Sequence, residues 1–262
     1  MDSLALAPKI SGHQEESMTT KKSLAIVTGG SQGIGFAIVE TLIAANYFVV
    51  IADLHAPAVD IDATQQATIH YQPCDVADAQ SVKNLVEYVM AQYGHIEVLI
   101  NNAGVVCQGE LTSLSQDTWQ RVFKINVEGP FLLCRDVIPI MQRQKFGRIV
   151  NIASVAAQTG GGFLGNTCYA ASKGALISLS KGIAREYGEQ GISCNTLCPG
   201  YIETPLTAAM SHEQVTHAVQ AIPAKRPGTP SDIAQAILLL VSEKNSYING
   251  VTLNVDGGLI RY

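Results

Sequence analysis

An apolar run leads directly into a glycine-rich turn in the stretch Leu24-Ala25-Ile26-Val27-Thr28-Gly29-Gly30-Ser31-Gln32-Gly33-Ile34-Gly35. Helix-period sequence follows, so the turn joins a predicted strand to a predicted helix. Glycines at such a junction let backbone N–H groups approach a pyrophosphate and place it at the positive end of the helix. The glycine spacing differs from the Gly-x-Gly-x-x-Gly dinucleotide fingerprint, and a tight turn of purely structural value is the alternative.

From residue 23 onward, short apolar runs alternate with longer amphipathic segments, which is the pattern of βαβ units around a parallel sheet. Strands are predicted at residues 24–28, 48–53, 68–74, 98–101, 147–152, 192–197 and 252–255. Helices are predicted at residues 35–45, 78–92, 115–144, 169–189 and 231–240. Continuous apolar strands favour helices on both faces. We therefore expect a single α/β domain over residues 23–262, a Rossmann-type, doubly wound, seven-stranded parallel sheet.

Two segments fall outside this alternation. Residues 200–230 are rich in proline around a helical pattern at residues 211–221. Loops of this length inside a compact domain are usually lids or binding segments, so we predict a substrate flap there. Residues 1–22 lack the basic start, apolar stretch and cleavage site of a secretory signal, and a flexible tail is predicted for them.

Composition excludes several classes of function. The 262 residues are 47% hydrophobic with a net charge of −5, which disfavours a phosphate-driven nucleic-acid binder. Apolar runs stay well short of the ~20 residues that cross a bilayer, so no membrane association is expected. The six cysteines are scattered and lack zinc-ligand spacing, which indicates reduced core thiols, a cytoplasmic location and no metal site.

Asp53 ends the second predicted strand, twenty residues after Gly33. A carboxylate there can accept hydrogen bonds from adenosine ribose hydroxyls and would repel a 2′-phosphate. Residues 54–56 contain no Arg or Lys that could bind such a phosphate. The sequence therefore favours NAD(H) over NADP(H), while a turn residue at the end of a strand is the alternative.

Tyr169 and Lys173 lie four residues apart on a predicted helix, and Ser154 follows a predicted strand. Positions four apart share one helix face, so the hydroxyl and the ammonium can share a site. A free tyrosine has a pKa of about 10, and both a neighbouring cation and a bound oxidised nicotinamide would lower that pKa. Ser154 can then hydrogen-bond a substrate oxygen whose charge changes. By itself, Tyr-x-x-x-Lys also occurs on ordinary exposed helix faces.

Jointly, these motifs resemble the classical short-chain dehydrogenase/reductase family over about residues 23–262. The positions that match the family's cofactor-binding segments, in chain order, are Gly29, Ser31, Gln32, Gly33, Ile34, Gly35, Asp53, Asp75, Val76, Asn102, Ala103, Gly104, Pro199, Gly200, Ile202 and Thr204. Those that match its catalytic tetrad are Asn126, Ser154, Tyr169 and Lys173. The resemblance implies a Rossmann-type oxidoreductase.

The resemblance also implies a role for each member of the tetrad. Tyr169 would exchange a proton with the substrate oxygen while hydride moves between the carbinol carbon and the nicotinamide. Ser154 would hold that oxygen. Lys173 would bind the nicotinamide ribose together with Tyr169 and lower the pKa of the phenol. Asn126 would help to hold a water that connects Lys173 to solvent, and Ile202 and Thr204 would contact the carboxamide and the pyrophosphate.

One spacing departs from the family's pattern. Ser154 and Tyr169 are fifteen residues apart, two more than is usual, with Gly160-Gly161-Gly162-Phe163 between them. A loop that borders the substrate and a purely structural turn both fit this insertion. If the register differs, the role of Ser154 is the one affected.

The leading hypothesis is an NAD(H)-dependent oxidoreductase that interconverts a secondary alcohol and a ketone. The polar composition of residues 158–167 suggests a small polar substrate such as a sugar, a polyol or a hydroxy acid. A 3-oxoacyl thioester (acyl-carrier-protein) reductase is the first alternative, although such reductases usually take NADPH and often carry a basic residue where Gln190 stands. A catalytically inactive NAD-sensing or scaffold protein is the alternative of another class.

Several other residues are expected to have structural roles and no role in catalysis. His212 and His217 are expected to be exposed polar residues, Trp119 to pack, Cys168 to be buried, and residues 143–148 to form a solvated helix end. The long predicted helices at residues 115–144 and 169–189 resemble the surfaces that pair in family members, so a homotetramer is expected.

Overall fold

The computed structural model describes residues 22–58 and 67–261, and the predicted tail at residues 1–22 lies outside that part except for Lys22. Within it, seven parallel strands form one sheet in the order β3-β2-β1-β4-β5-β6-β7. The strands are Leu24–Thr28 (β1), Phe48–Asp53 (β2), Ile69–Pro73 (β3), Val98–Asn101 (β4), Gly147–Ile152 (β5), Ile192–Pro199 (β6) and Thr252–Val255 (β7). The predicted doubly wound fold is confirmed.

Helices cover both faces of this sheet. They are Gly33–Ala44 (α1), Ala79–Tyr93 (α2), Gln116–Phe123 (α3), Gly129–Gln144 (α4), Ala156–Thr159 (α5), Thr167–Tyr187 (α6), His212–Ala221 (α7) and Pro230–Val241 (α8). None of the helices in the described part of the chain combines the length and apolar character that a bilayer crossing requires.

The two faces of the sheet bury two separate apolar clusters. Successive residues of β1 alternate between them: Ile26 joins the cluster under α2, α4 and α6, and Val27 joins the one under α1 and α8. Strand side chains point to opposite faces in turn, so a strand covered on both sides must be apolar at every position. All five residues of β1 are accordingly buried.

The connections from β1 and β4 leave in opposite directions along the sheet, which makes this pair the topological switch point. In open parallel sheets, ligands bind in the crevice outside the carboxyl ends of the strands at that point. The predicted site residues follow this edge, since Asp53 ends β2, Asn102 follows β4, Ser154 follows β5 and Gly200 follows β6. The fold thus gathers segments that lie far apart in sequence.

The prediction of one helix at residues 115–144 is wrong. A π-helical turn at Lys124–Glu128 separates α3 from α4, and Asn126 is fully buried within it. A Cβ at Gly129 would lie 2.9 Å from the Val76 carbonyl oxygen, so α4 begins in close contact with the loop after β3. Single π-helical turns often occur at functional sites, and this one turns the Asn126 amide toward the interior.

The interpretation of residues 143–148 as a solvated helix end is wrong for Arg148. This residue belongs to β5 and is buried, and its guanidinium carbon lies 4.2 Å from the centroid of the Phe146 ring. Its Nη1 donates to the carbonyl oxygens of Gly147 and Gly191. Trp119 stacks on Phe123 with 4.6 Å between ring centroids, and 37% of it stays exposed.

Other differences concern the ends of elements. β6 continues to Pro199, two residues beyond its prediction, and β3 is limited to Ile69–Pro73. The helix α5 was not predicted because four residues are too few to show a helical period.

A buried polar chain fixes α6 against the centre of the sheet. Asn101 Nδ2 donates to Asn151 Oδ1 at 2.7 Å, and Asn151 Nδ2 donates to Ser180 Oγ on α6 at 2.8 Å. Buried polar groups need such partners, and amides can be satisfied only in a defined register. The helix that carries Tyr169 and Lys173 is therefore held in place by polar contacts as well as by apolar packing.

Candidate active site

The glycine-rich turn after β1 is joined to the loop after β4 by hydrogen bonds. Thr28 Oγ1 accepts from the backbone N–H groups of Asn102 and Ala103, each at 3.0 Å. Asn102 Nδ2 in turn donates to the carbonyl oxygens of Thr28 and Gly29, at 3.0 and 2.9 Å. These bonds fix the backbone of the turn at the switch point.

The glycines of the turn occupy positions where a side chain does not fit. Gly29 has a φ of +60°, and a Cβ there would lie 2.9 Å from Ala103 Cα. A Cβ at Gly35 would overlap the carbonyl oxygen of Gly29. The turn therefore exposes bare backbone at the N-terminus of α1, which fits the close approach of a dinucleotide pyrophosphate.

Asp53 lies beside this turn. Its Oδ2 accepts a hydrogen bond from Ser31 N at 3.1 Å, and its Oδ1 accepts from Leu54 N at 2.7 Å. Asp75 forms a local turn in which its Oδ1 accepts from Ala77 N at 2.9 Å. Both carboxylates line the same cavity as the glycine turn, at its β2 and β3 end.

The flap closes over the glycine turn from the other side. A Cβ at Gly33 would lie 3.7 Å from Thr204 Cβ and 3.8 Å from Pro205 Cδ. Ile202 is buried and, together with Pro199 and Gly200, also lines the cavity. The glycine turn and the flap residues Ile202 and Thr204 thus line one cavity, with Thr204 next to Gly33.

Tyr169, Ser154 and Lys173 meet at the carboxyl end of β5. The Ser154 hydroxyl lies beside the Tyr169 phenol, where it acts to lower the pKa of that phenol, and Lys173 Nζ lies 5.9 Å from the centroid of the Tyr169 ring. Lys173 is buried, and its Nζ donates to the carbonyl oxygen of Ile152 at 2.7 Å. The longer spacing between Ser154 and Tyr169 therefore does not separate these two side chains.

Burial controls the ionisation of both groups. It raises the pKa of Tyr169 to about 12, and the hydrogen bond from Ser154 offsets only part of that effect. It lowers the pKa of Lys173 to about 8. In the chain by itself, the ammonium thus does not make the phenol more acidic than free tyrosine, which differs from the expectation.

Asn126 links the π-helical turn to the loop after β4. Its Oδ1 accepts from Val105 N and its Nδ2 donates to Val105 O, both at 2.9 Å, and Nδ2 also donates to Ser172 Oγ. A Cβ at Gly104 would lie 3.2 Å from Lys173 Nζ and 3.3 Å from Asn126 Oδ1. The glycine allows both side chains to reach the floor of the site.

Asn166 is a site residue that the sequence analysis missed. As the N-cap of α6, its Oδ1 accepts from the N–H groups of Cys168 and Tyr169, at 3.1 and 3.2 Å. Its Nδ2 donates to the carbonyl oxygen of Gly109 at 3.0 Å. An asparagine immediately before a helical pattern is a known capping signal, and here it fixes the end of the helix that carries Tyr169.

These groups surround a cavity of about 820 Å³. Ser31 is the one predicted cofactor-binding residue that does not line it, and Asn126 lies buried behind the wall. His212 and His217 are exposed on α7, as expected, and no cluster of His, Cys, Asp and Glu in residues 22–58 and 67–261 could hold a metal ion. All six cysteines are buried and free.

Gln190 lies away from this cavity. It belongs to the 3-10 turn before β6, at the amino end of the strands, where its side chain accepts a hydrogen bond from Gln142 Nε2. Gln190 therefore does not border the cavity of its own subunit, and its lack of charge does not bear on whether an acidic carrier protein docks there.

Comparison with known proteins agrees with this architecture. A family model described as "Enoyl-(Acyl carrier protein) reductase" matches residues 29–260. The chain is 36% identical to the 3-oxoacyl-[acyl-carrier-protein] reductase FabG of Salmonella typhimurium, over 92% of this chain and 99% of the relative. It is 38% identical to the 2-(R)-hydroxypropyl-CoM dehydrogenase of Xanthobacter autotrophicus, over 89% and 97%.

A solved structure, that of gox2181, superposes with a TM-score of 0.86 at 31% identity, covering 91% of this chain and 96% of that one. The chain belongs to the short-chain dehydrogenase/reductase family. It is therefore an oxidoreductase of a family that uses nicotinamide cofactors.

We predict that Lys173→Met stabilises the protein measured without cofactor. Lys173 has a pKa of about 8 when folded, against its ordinary 10.5, so the unfolded chain binds more protons between these values and wild-type stability rises with pH across that window. At pH 7 the folded protein keeps Lys173 charged, so the full free-energy cost of burying the ammonium lowers its stability. We expect a gain of roughly 2 kcal/mol in urea unfolding at pH 7.

The same comparison at pH 10 should show a smaller gain, because wild-type Lys173 is then largely uncharged when folded. Lys181→Met, an exposed substitution on the same helix, is the control and should change stability little at either pH. A gain that did not depend on pH would contradict the assignment of the cost to the buried charge.

Proposed function

We propose that the protein catalyses NAD(H)-dependent interconversion of a secondary alcohol and a ketone, with Tyr169 as the acid and base. The observation that carries the proposal is the contact of the Tyr169 phenol with Ser154, with the buried Lys173 ammonium beside it. The same cavity contains the bare glycine turn, so a dinucleotide and a substrate oxygen can meet at this phenol.

In the direction of oxidation, Ser154 holds the carbinol hydroxyl and Tyr169 takes its proton. The bound nicotinamide ring supplies the hydride acceptor, or the donor in the reverse direction. Tyr169 must be deprotonated for the first step, and burial raises its pKa in the chain alone. The positive charge of the oxidised ring, added to that of Lys173, acts in the opposite sense on this pKa.

Lys173 and Asn126 assist the proposed reaction at the Tyr169 phenol. The Lys173 ammonium is fixed by the Ile152 carbonyl, and we propose that it also binds a ribose hydroxyl. Asn126 holds the backbone of Val105, which lines the same cavity. A water held by Asn126, which would connect Lys173 to solvent, is part of the proposal.

Asp53 supports NAD(H) as the cofactor. Its carboxylate lies next to the glycine turn, and both of its oxygens accept backbone hydrogen bonds there. A 2′-phosphate at this end of the cavity would face a fixed negative charge, and like charges in contact cost several kcal/mol. NADP(H) is therefore the less favoured cofactor.

Tyr169→Phe should lower kcat by about a thousandfold with any accepted alcohol, since general acid–base catalysis contributes 10²–10⁴-fold. The affinity for NADH, measured by fluorescence titration, should stay within about threefold of wild type because the ring itself remains. Tyr247→Phe, at a residue that is 99% exposed, serves as the control. Unchanged turnover in the Tyr169 variant would refute the assigned role.

Asp53→Asn should raise the ratio of kcat/KM for NADPH to that for NADH by about tenfold or more, which corresponds to ~1.4 kcal/mol. The amide is isosteric but uncharged, so the change isolates repulsion of the 2′-phosphate. Asp117→Asn, an exposed carboxylate on α3, is the matched control and should leave the ratio unchanged. A wild-type preference for NADPH would overturn the cofactor assignment.

A 3-oxoacyl thioester reductase is the second candidate. The observation that favours it is the similarity to the FabG protein and to the MabA protein of Mycobacterium tuberculosis, at 36% identity each. Asp53 argues against the NADPH that such reductases usually take. Initial rates with NADH and NADPH on one 3-oxoacyl thioester, free and attached to acyl carrier protein, discriminate between the candidates.

A catalytically inactive scaffold is less well supported. Ser154, Tyr169 and Lys173 line one cavity with Asn126 buried behind its wall, and Lys173 keeps a costly buried charge that a scaffold does not need. The turnover measurements on Tyr169→Phe also decide this alternative.

We also propose a homotetramer in the cytoplasm. Trp119 and Phe131 are exposed on α3 and α4, and Leu239, Tyr247 and Val251 are exposed on α8 and in the segment before β7. Apolar side chains in such positions favour association of subunits. Light scattering at micromolar concentration should give four times the chain mass, whereas a monomer would contradict the proposal. The six free thiols support a reducing compartment.

A further inference from the structure

The glycine-rich loop at residues 160–165 presents two apolar side chains, Phe163 and Leu164, to the cavity. It lies directly against the proposed catalytic residue, since a Cβ at Gly165 would overlap the Tyr169 ring. The glycines thus bring the backbone close to the phenol, and the two side chains extend from there along the side of the cavity.

These side chains pack against the flap. The Phe163 ring meets Tyr201 edge-on at 6.3 Å between centroids, and it meets His217 of α7 at 6.4 Å. Phe163 and Leu164 belong to one apolar cluster that joins the loop to the flap and to the end of the chain. We call five of its members that also line the cavity the apolar wall: Phe163, Leu164, Tyr201, Met210 and Leu259.

Charge is confined to the other parts of the cavity. Among the described residues, the charged side chains that line it are Asp53, Asp75, Arg121 and Lys173. Asp53 and Asp75 lie at the β2 and β3 end. Arg121 lies on α3, one helical turn before Ile125. Ile125 packs against the core cluster that also contains Val76. Lys173 Nζ lies 5.9 Å from the centroid of the Tyr169 ring, and none of these four charged residues belongs to the apolar wall.

We propose that the apolar wall makes this enzyme specific for ketones and secondary alcohols with a hydrocarbon arm beside the reacting carbon. This inference rests on the function proposed above and names its substrate class. Methylene groups gain free energy when they leave water for such a surface. Hydroxyl or carboxylate groups would lose their hydrogen bonds with water, and four of the five wall side chains, Phe163, Leu164, Met210 and Leu259, offer them no strong hydrogen-bond partner. Sugars, polyols and hydroxy acids are therefore poor substrates, contrary to the expectation from the composition of residues 158–167.

The test is the dependence of kcat/KM on chain length with NADH as the reductant. For methyl ketones from 2-butanone to 2-octanone, we expect kcat/KM to rise about threefold per added methylene until the wall is covered. 1,3-Dihydroxyacetone should be at least about a hundredfold poorer than 2-butanone, because its hydroxyls lack partners.

Three variants test whether Phe163 and Leu164 cause this dependence on chain length. Phe163→Ser and Leu164→Ser should each lower the ratio of kcat/KM for 2-octanone to that for 2-butanone by about tenfold. Phe163→Leu should restore most of that ratio, because it returns apolar volume without the ring. Leu111→Ser, a comparable change at a residue that is 59% exposed and does not line the cavity, is the control and should leave the ratio unchanged. Circular dichroism checks that each variant is folded.

The possible outcomes separate the two proposals. If wild type reduces ketones but shows no dependence on chain length, or prefers the hydroxylated ketone, the inference about the wall is overturned while the proposed function stands. A retained ratio in both serine variants would likewise overturn it. If wild type reduces neither kind of ketone with either nicotinamide cofactor, the proposed function itself fails, and the inference fails with it.

Discussion

The hydrogen bonds between the ends of β1 and β4 are the constraint on which the site depends. Thr28 Oγ1 and the Asn102 amide satisfy four backbone groups at the point where the connections of the sheet diverge. Buried backbone groups without partners are costly, so the two loops can hardly move apart. With this spacing fixed, Gly29 and Gly35 have no room for side chains, so the turn presents backbone to the cavity.

The buried Lys173 lowers the stability of the fold, whereas the proposed function needs this side chain. An ammonium in the interior is expensive, and the lowered pKa of this one shows that the fold bears that cost. The protein alone also keeps the Tyr169 phenol in its neutral form, because burial outweighs the hydrogen bond from Ser154. In the proposed function, the positive charge of an oxidised nicotinamide ring would act against this effect of burial and lower the pKa of the phenol.

Much of this could be predicted from the sequence. Apolar runs gave the strand positions, and the family's motifs indicated residues that the fold does bring together, such as Ser154 and Tyr169. Local patterns could not reveal the π-helical turn around Asn126, since it depends on contact of the following helix with the loop after β3. They also gave a wrong picture of Arg148, whose burial follows from pairing of β5 with both of its neighbours. The polarity of the cavity wall depends on which side chains of residues 160–165 face inward, and composition does not contain that information.

The buried cysteines have a consequence for the chemistry of the whole molecule. Desolvation raises the pKa values of the Cys74, Cys134, Cys168, Cys194 and Cys198 thiols. Only a thiolate reacts readily with alkylating agents or oxidants. Cys74, Cys134 and Cys194 belong to the apolar cluster under α2, α4 and α6, and Cys168 and Cys198 lie in smaller clusters. These five thiols therefore react slowly while the domain is intact. Each thiol becomes reactive when the part of the domain around it unfolds. The order in which the cysteines are labelled would therefore show which part of the domain unfolds first.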